Sequence, residues 1–210
     1  MIRIAIADDH AIVREGLKRI LASTSDLAIT GDVATADELL TLLRAQRFDV
    51  LVLDLTLGTR SGFELLKQVK SEFPRMPVLI LSMHASEEYA LRALRAGAAG
   101  YVQKESAPDE LVTAVRRVVS GATYVSAALA ERLAMQLARS GSKAPHELLS
   151  DRELEVFLQL AAGKAVSEIA TDLHLSVKTV STHRARIVEK TGLQRNGDMI
   201  RYAIEHHLIH

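Results

Sequence analysis

Five polar side chains end or follow apolar runs in the first half of this 210-residue chain. Together they could handle a phosphoryl group. Asp54 closes Val50–Leu53, Asp8 and Asp9 follow Ile2–Ala7, Ser82 closes Val78–Leu81, and Lys104 lies just beyond Gly100–Val102. Short apolar, β-branched runs of this kind are strands buried on both faces. A polar residue directly after such a strand stands at the carboxyl edge of the sheet, where open α/β folds place their chemistry. If the strands share one parallel sheet, three carboxylates converge there. They repel one another unless a hard cation or protons neutralise them, which points to a pocket for Mg²⁺ centred on Asp54. Lys104 would offset carboxylate and phosphoryl charge, and Ser82 would donate to a phosphoryl oxygen. Taken singly, Lys104 is an ordinary loop lysine and Ser82 an ordinary strand-end serine. The conjunction of five residues at four strand ends carries the argument.

The elements that must hold these residues are legible as an alternation. Strand-like runs at Ile2–Ala7, Ala28–Val33, Val50–Leu53, Val78–Leu81 and Gly100–Val102 are separated by helix-patterned stretches at Ala11–Ser23, Thr35–Gln46, Gly62–Phe73 and Ser86–Ala96. A fifth helix, Pro108–Ser120, has Pro and two acids in its first turn and Gly121 just past its end. Five such repeats predict a doubly wound, five-stranded parallel sheet. In its flavodoxin-like form the sites gather beside the first and third strands, which end in Asp8–Asp9 and Asp54.

After Gly121 the pattern changes. Ser126–Leu137 reads as one more amphipathic helix, and RSGSKAPHE, without apolar periodicity, reads as a flexible linker. The expected division is therefore residues 1–122, a helix and linker over 123–148, and a small all-α domain over 149–210. In that last domain Ser150 with Glu153 forms a capping box for a helix that stops at Gly163. A short helix, Val166–Leu173, the turn His174–Leu175–Ser176, a helix Val177–Lys190 ending at Gly192, and a final helix near Gly197–His207 follow. Two helices joined by a tight turn, the second basic, form a helix-turn-helix. Over 176–190 the cations Lys178, Arg184, Arg186 and Lys190 face only Glu189, although 149–210 as a whole holds eight basic and eight acidic side chains. Val180, Ile187 and Thr191 share the face that docks on the domain, with Val188 nearby. Lys178, Thr182, Ala185 and Glu189 lie opposite, flanked by Thr179, Arg186 and Lys190 on one side and by Ser181 and Arg184 on the other. Small residues at 181, 182 and 185 would let the backbone approach a groove floor while cations reach phosphates or guanines.

Bulk composition sets the frame. A hydrophobic fraction of 48% supports real cores. Twenty-six basic and 26 acidic residues cancel, so no global field advertises nucleic acid or membrane, and any DNA contact must be local. The absence of cysteine excludes disulfides, thiolate metal sites and a cysteine nucleophile. No apolar run reaches membrane-spanning length and no leader-like segment opens the chain, so a cytoplasmic protein without a membrane partner is expected.

The segments IADDH, LVLDLTLGTRSG, LILSMH and AGYVQK resemble the receiver domain of two-component response regulators. LSDRELEVFLQLAAGKAVSEIATDLHLSVKTVSTHRARIVEKTGL resembles the LuxR-type helix-turn-helix. The whole chain thus resembles a NarL/FixJ-class regulator. The resemblance implies that Asp54 is the phosphoacceptor and that Asp9 and Asp54 ligate Mg²⁺ directly. Asp8 would act through water, and the carbonyl of Thr56 would be a further ligand. Ser82, Tyr101 and Lys104 would sense the phosphoryl group, and the fourth and fifth helices with the fifth strand would relay it. Lys178, Thr179, Ser181, Thr182, Arg184, Arg186 and Lys190 would meet DNA, with Lys190 mainly on phosphate and Lys178 and Thr182 closer to bases. The final helix, through Met199, Tyr202, Ala203 and His206, would be a dimer contact. A sensor histidine kinase, promoter DNA, RNA polymerase and a second copy of the chain are the partners implied. Gly58 and Glu105 stand where prolines are common, Ser181 replaces a frequent lysine, and Ala185 is too short for base hydrogen bonds.

Other classes fit less well. A phosphatase with an Asp nucleophile needs a second carboxylate two residues on, where Thr56 stands. An FMN carrier needs a hydroxyl- and Gly-rich phosphate loop after the first strand, where Asp8 and Asp9 would repel the phosphate. A receiver with a protein-binding tail is the third alternative. The reading is a regulator switched by Mg²⁺-dependent phosphorylation that promotes dimerisation and promoter binding; it is not an enzyme.

Overall fold

The computed structural model describes residues 1–57, 61–83, 87–138, 144–206 and 208–209. These fall into two compact units, the first made of the bulk of residues 1–132 and the second of 133–210. The expected Gly58 and the start of the Ser86–Ala96 helix lie outside the described residues, as do linker residues 139–143.

In the first unit β1 (Ile2–Ala7), β2 (Leu27–Val33), β3 (Val50–Asp54), β4 (Val78–Ser82) and β5 (Gly100–Gln103) form one sheet in the order β2-β1-β3-β4-β5, every pair parallel. The intervening helices are α1 (Ala11–Ala22), α2 (Ala36–Ala45), α3 (Gly62–Glu72) and α4 (Glu87–Arg95), and α5 (Ala107–Val119) follows β5. Right-handed crossovers dictate the layers. The path runs outward from β1 to β2 and then back past β1 towards β5, so α1 lies on one face and α2 to α4 on the other. Ile4, Ile6, Val50, Val52, Leu79, Leu81 and Val102 accordingly pack with Leu17 and Leu21 of α1 and Leu111 and Val115 of α5. The reversal of strand order falls between β1 and β3, and it opens the crevice in which their acidic ends meet.

Two glycines are set by close backbone approach. A Cβ on Gly62 would lie 2.1 Å from the Leu55 carbonyl oxygen, which accepts from Gly62 N–H at 3.1 Å. This contact pins the start of α3 under the loop after Asp54. At Gly100 a Cβ would meet the Tyr124 carbonyl at 2.8 Å, because the chain after α5 returns along β5. Tyr101 N–H donates to Tyr124 O, and Tyr124 N–H to Ala99 O.

α6 (Ala127–Ala138) precedes the second unit's α7 (Asp151–Ala161), α8 (Val166–Asp172), α9 (Val177–Thr191) and α10 (Asn196–Glu205). Ser150 and Glu153 form the expected capping box of α7. One expectation is corrected: Pro145–Leu148 is not flexible linker but a 3₁₀ turn. Its His146 is buried, with Nδ1 2.8 Å from the Tyr202 hydroxyl. Polar composition suggested a linker, but a partner 56 residues away on α10 orders the segment.

Candidate functional site

β3 delivers Asp54 to the carboxyl edge with its side chain buried, and β1 delivers Asp8, equally buried. One Asp54 oxygen, Oδ2, accepts from Lys104 Nζ at 2.7 Å and from the Thr56 hydroxyl at 2.8 Å. The other accepts from Thr56 N–H at 3.0 Å. Lys104 stands at the start of a 3₁₀ turn after β5 and also lies 2.8 Å from Asp8 Oδ2, so one ammonium bridges two carboxylates. Asp8 Oδ1 accepts from His10 N–H at 2.8 Å, and the His10 ring Nδ1 is 2.7 Å from Asp9 Oδ1. Ligand atoms of Asp8, Asp9, His10 and Asp54 all lie within 4.8 Å of one another.

Lys104 does not fully offset the cost of burying Asp8. Burial, then the charge of Asp54, pushes the Asp8 carboxyl above its usual range despite the bonds from Lys104 and His10 N–H. Burial alone would lower the Lys104 ammonium, but Asp54 and Asp8 outweigh it and raise it. The ammonium touches Asp8 and Asp54 but not Asp9, and the closely spaced oxygens of the three acids make a donor set that fits a hard divalent cation. Burial raises the Tyr101 phenol strongly, and the charge of Asp54 adds to the effect. Tyr101 shares a side-chain hydrogen bond with the fully buried Ser82.

The geometry thus brings Asp8, Asp9, Asp54, Thr56 and Lys104 together, with Ser82 and Tyr101 as a buried pair alongside. Two contributions went unread in the sequence. The Thr56 hydroxyl itself holds Asp54, and His10 joins the cluster. Both lie within two residues of the strand-end acids, and the turn of the backbone brings the Thr56 hydroxyl onto Asp54 and the exposed His10 ring onto Asp9.

In the second unit the turn between α8 and α9 passes through His174 in the left-handed region, at φ 50°, and Leu175 N–H reaches back to Ala170 O at 2.8 Å. Ser176 caps α9 through Thr179 N–H at 3.0 Å, and its hydroxyl lies 2.7 Å from that of Thr179. Gly192 ends α9 at φ 74°. Val180 and Ile187 are buried, whereas Val177, Lys178, Ser181, Thr182, Ala185, Arg186 and Glu189 are exposed, which is the amphipathic split the periodicity gave.

Three expected DNA contacts have internal duties. Thr179 is half-buried beside the cap, Arg184 donates to Asn196 Oδ1 at 3.2 Å, and Lys190 pairs with Glu153 Oε2 at 2.6 Å. Lys190 thus ties the end of α9 to the start of α7, with its side chain still 37% exposed. Two of the four residues expected at the dimer contact are also corrected. Met199 and Ala203 are fully buried, on the face with which α10 packs against α7, so they cannot present a surface. Tyr202 is half-buried against His146, and His206 is exposed with its ring 4.2 Å from that of Tyr202. Ile204, 54% exposed, is the apolar side chain that α10 turns outward.

A buried carboxylate pocket at a parallel-sheet switch point, joined to a helix-turn-helix, defines a phosphorylation-type receiver with a DNA-binding unit. Residues 4–116 match the response regulator receiver domain, and residues 147–203 match the bacterial regulatory proteins of the luxR family. The chain is 31% identical over 209 residues to the response regulator UvrY of Escherichia coli K12, covering 99% of this chain and 96% of that one. It is 36% identical over 215 residues to the oxygen regulatory protein NreC of Staphylococcus epidermidis, covering 99% of each. Among solved structures, the RcsB response regulator of Salmonella typhimurium superposes with a TM-score of 0.72 at 26% identity over 98% of both chains. RcsB bound to promoter rprA in the presence of the phosphomimetic BeF3⁻ gives 0.66, covering 96% of this chain and 97% of that one. The chain belongs to the two-component response regulators that carry a LuxR-type helix-turn-helix. These are DNA-binding transcription regulators, not enzymes. Among the described residues no helix is long and apolar enough to cross a membrane.

Proposed function

We propose that Asp54 accepts a phosphoryl group from a sensor histidine kinase in a Mg²⁺-dependent step, and that this drives the chain onto promoter DNA as a homodimer. The observation that carries the reading is the buried Asp54 carboxylate, held by Thr56 and Lys104 amid the excess negative charge of Asp8 and Asp9. An Asp54 oxygen attacks phosphorus on a phosphohistidine. The new P–O bond forms as the P–N bond breaks, the leaving imidazole takes a proton, and an aspartyl phosphate results. Asp8, Asp9 and Asp54, with the Thr56 carbonyl as the family's further ligand, would hold Mg²⁺, which neutralises charge on the transferring group. Lys104 already lies desolvated beside the reacting oxygen and exchanges its carboxylate for a phosphoryl oxygen. Ser82 donates to a second phosphoryl oxygen, and because Tyr101 is bonded to Ser82, the phenol feels that change.

Labelling with acetyl phosphate tests the core of the reading. Mg²⁺-dependent labelling should vanish in Asp54→Asn and weaken in Asp9→Ala, and undiminished labelling of Asp54→Asn would move the site elsewhere. Light scattering with and without BeF3⁻ tests dimerisation; a monomer in both states, also on DNA, would sink it. The RcsB complex with a promoter supports the DNA arm. RNA polymerase as a further contact and a cytoplasmic location belong to the same reading. So does a receiver of residues 1–122 followed by a DNA-binding domain, whose start we place near Pro145 because His146 packs within it.

A further inference from the structure

We propose that the recognition helix α9 reads thymine through its C5-methyl group, with Val177, Thr182 and Ala185 as the specificity-determining side chains. The inference rests on the reading of this unit as a DNA binder and says which base it selects. The N-terminal half of a recognition helix lies deepest against base edges. In α9 that half exposes Val177, Lys178, Ser181, Thr182 and Ala185. Both hydroxyls are already spent as donors on the helix itself, Ser181 Oγ to Val177 O at 2.9 Å and Thr182 Oγ1 to Lys178 O at 3.0 Å. What remains to offer a base is an oxygen lone pair from each and the Thr182 methyl.

None of these five positions holds Arg, Asn, Gln, Asp or Glu, so the usual two-point partners of guanine and adenine and the carboxylate acceptors for cytosine are missing; only the ammonium of Lys178 and single-point lone pairs on Ser181 and Thr182 remain for hydrogen bonding. The longer side chains lie elsewhere. Arg184 is engaged with Asn196, Lys190 with Glu153, and Arg186 sits a turn further along. Val177 is the contrasting feature, an isopropyl group 53% exposed at the first position of the helix. Val177, Ser181 and Ala185 follow one another at four-residue spacing, and Lys178 and Thr182 run parallel to them. The exposed strip is therefore small and apolar, edged by one cation. The major groove offers one apolar group to such a strip, the thymine methyl. Lys178 at the edge can reach a phosphate or a guanine and fix register.

The test uses the full chain with Mg²⁺ and BeF3⁻. Selection from a random duplex library supplies an operator, in which each thymine is then replaced singly by deoxyuridine, removing only the methyl. At one or more positions in each half-site the substitution should weaken binding by about fourfold, the worth of one buried methyl-sized group. Thr182→Ser, which keeps the hydroxyl and loses the methyl, should make one of those positions indifferent to deoxyuridine. An operator bound equally well with deoxyuridine at every position would overturn the proposal while leaving DNA recognition intact. So would one weakened only by 7-deazaguanine, which would hand the reading to Lys178 or Arg186. A selection that enriches no sequence would overturn sequence reading by this helix altogether.

Discussion

The two working regions of this molecule handle charge in opposite ways. In the pocket the Lys104 side chain is only 6% exposed, and its ammonium touches both Asp8 and Asp54. On α9, Lys178 and Arg186 stand in solvent with no ion-pair partner among the described residues. A buried charge must be matched within the fold before any ligand arrives, because desolvation is costly. An exposed one can wait for its partner in water. Substitutions in the pocket should therefore register as stability even without ligand. Those on the reading face should register only when DNA is present.

The largest effect tests the first half of that contrast. Lys104→Ala leaves two buried carboxylates facing each other, and breaking such a pair costs about 3–5 kcal/mol. Urea unfolding in EDTA should show a loss of that order. Millimolar Mg²⁺ should restore part of it, because the divalent cation takes over the neutralising role. Equal stability of variant and parent in EDTA would mean that the pocket does not depend on its internal cation, and the contrast would fail.

How far each region was legible follows from the same physics. Strands buried on both faces are continuous apolar runs, so their polar ends announce themselves, and Asp8, Asp9, Asp54, Ser82 and Lys104 all fell where expected. The amphipathic period likewise separated Val180 and Ile187 from the exposed face of α9. What escaped depends on pairings between residues distant in sequence or on local backbone direction. Periodicity marks Met199 and Ala203 as one stripe of α10 but does not say whether that stripe meets α7 or a second chain. Lys190 reads as a free cation until the fold brings up Glu153, 37 residues earlier. The Thr56 hydroxyl and the His10 backbone N–H reach Asp54 and Asp8 through backbone geometry that residue type does not encode.

Glu153 gives the second prediction, for it places the pocket's logic inside the DNA-binding unit. Burial pushes its carboxyl up, but the Lys190 ammonium and the Ser150 N–H and hydroxyl outweigh burial and hold it below the ordinary carboxylate value. A carboxyl depressed by folding contributes stability above its unfolded pKa, near 4.5, and loses it as pH falls through the folded value. Glu153→Gln should therefore cost about 1–2 kcal/mol at pH 7, combining a weakened cap with a lost charge-assisted bond. The gap should narrow towards pH 4 in thermal melts. A gap that persists at pH 4 would assign the loss to packing rather than to ionisation.

The third prediction separates two lysines of one helix. Lys178→Ala should leave the melting temperature unchanged. If Lys178 meets a phosphate, the substitution should lower the salt slope of DNA binding by about one unit; if it meets a guanine, it should relax discrimination, by roughly 1–3 kcal/mol for a two-point contact. Lys190→Ala should do the reverse, lowering the melting temperature and leaving the slope nearly intact, since its charge is already paired with Glu153. Anisotropy titrations at several salt concentrations, beside thermal melts, read both. A one-unit fall in slope for Lys190→Ala would show that the ion pair opens on DNA, and would blur the division between paired and waiting charges.

The smallest expected effect concerns His183, which belongs to the reading helix but faces the fold. It is half-buried and its Nδ1 is buried without a hydrogen-bond partner among the described residues. Desolvation, then the Arg152 guanidinium, pulls its pKa below the ordinary value near 6.5; Glu153 opposes the shift and Arg186 adds to it. The folded state therefore resists taking the proton. His183 favours folding above about pH 6.5 and loses that contribution as pH falls through the folded value. His183→Gln cannot titrate, so its melting temperature should decline less than the parent's between pH 8 and pH 5.5. DNA affinity at pH 8 should change little, because the ring looks inward. If the substitution altered base preference and left the pH profile of melting untouched, His183 would belong with the open face of α9, and orientation rather than membership of a helix would no longer decide how a charge behaves here.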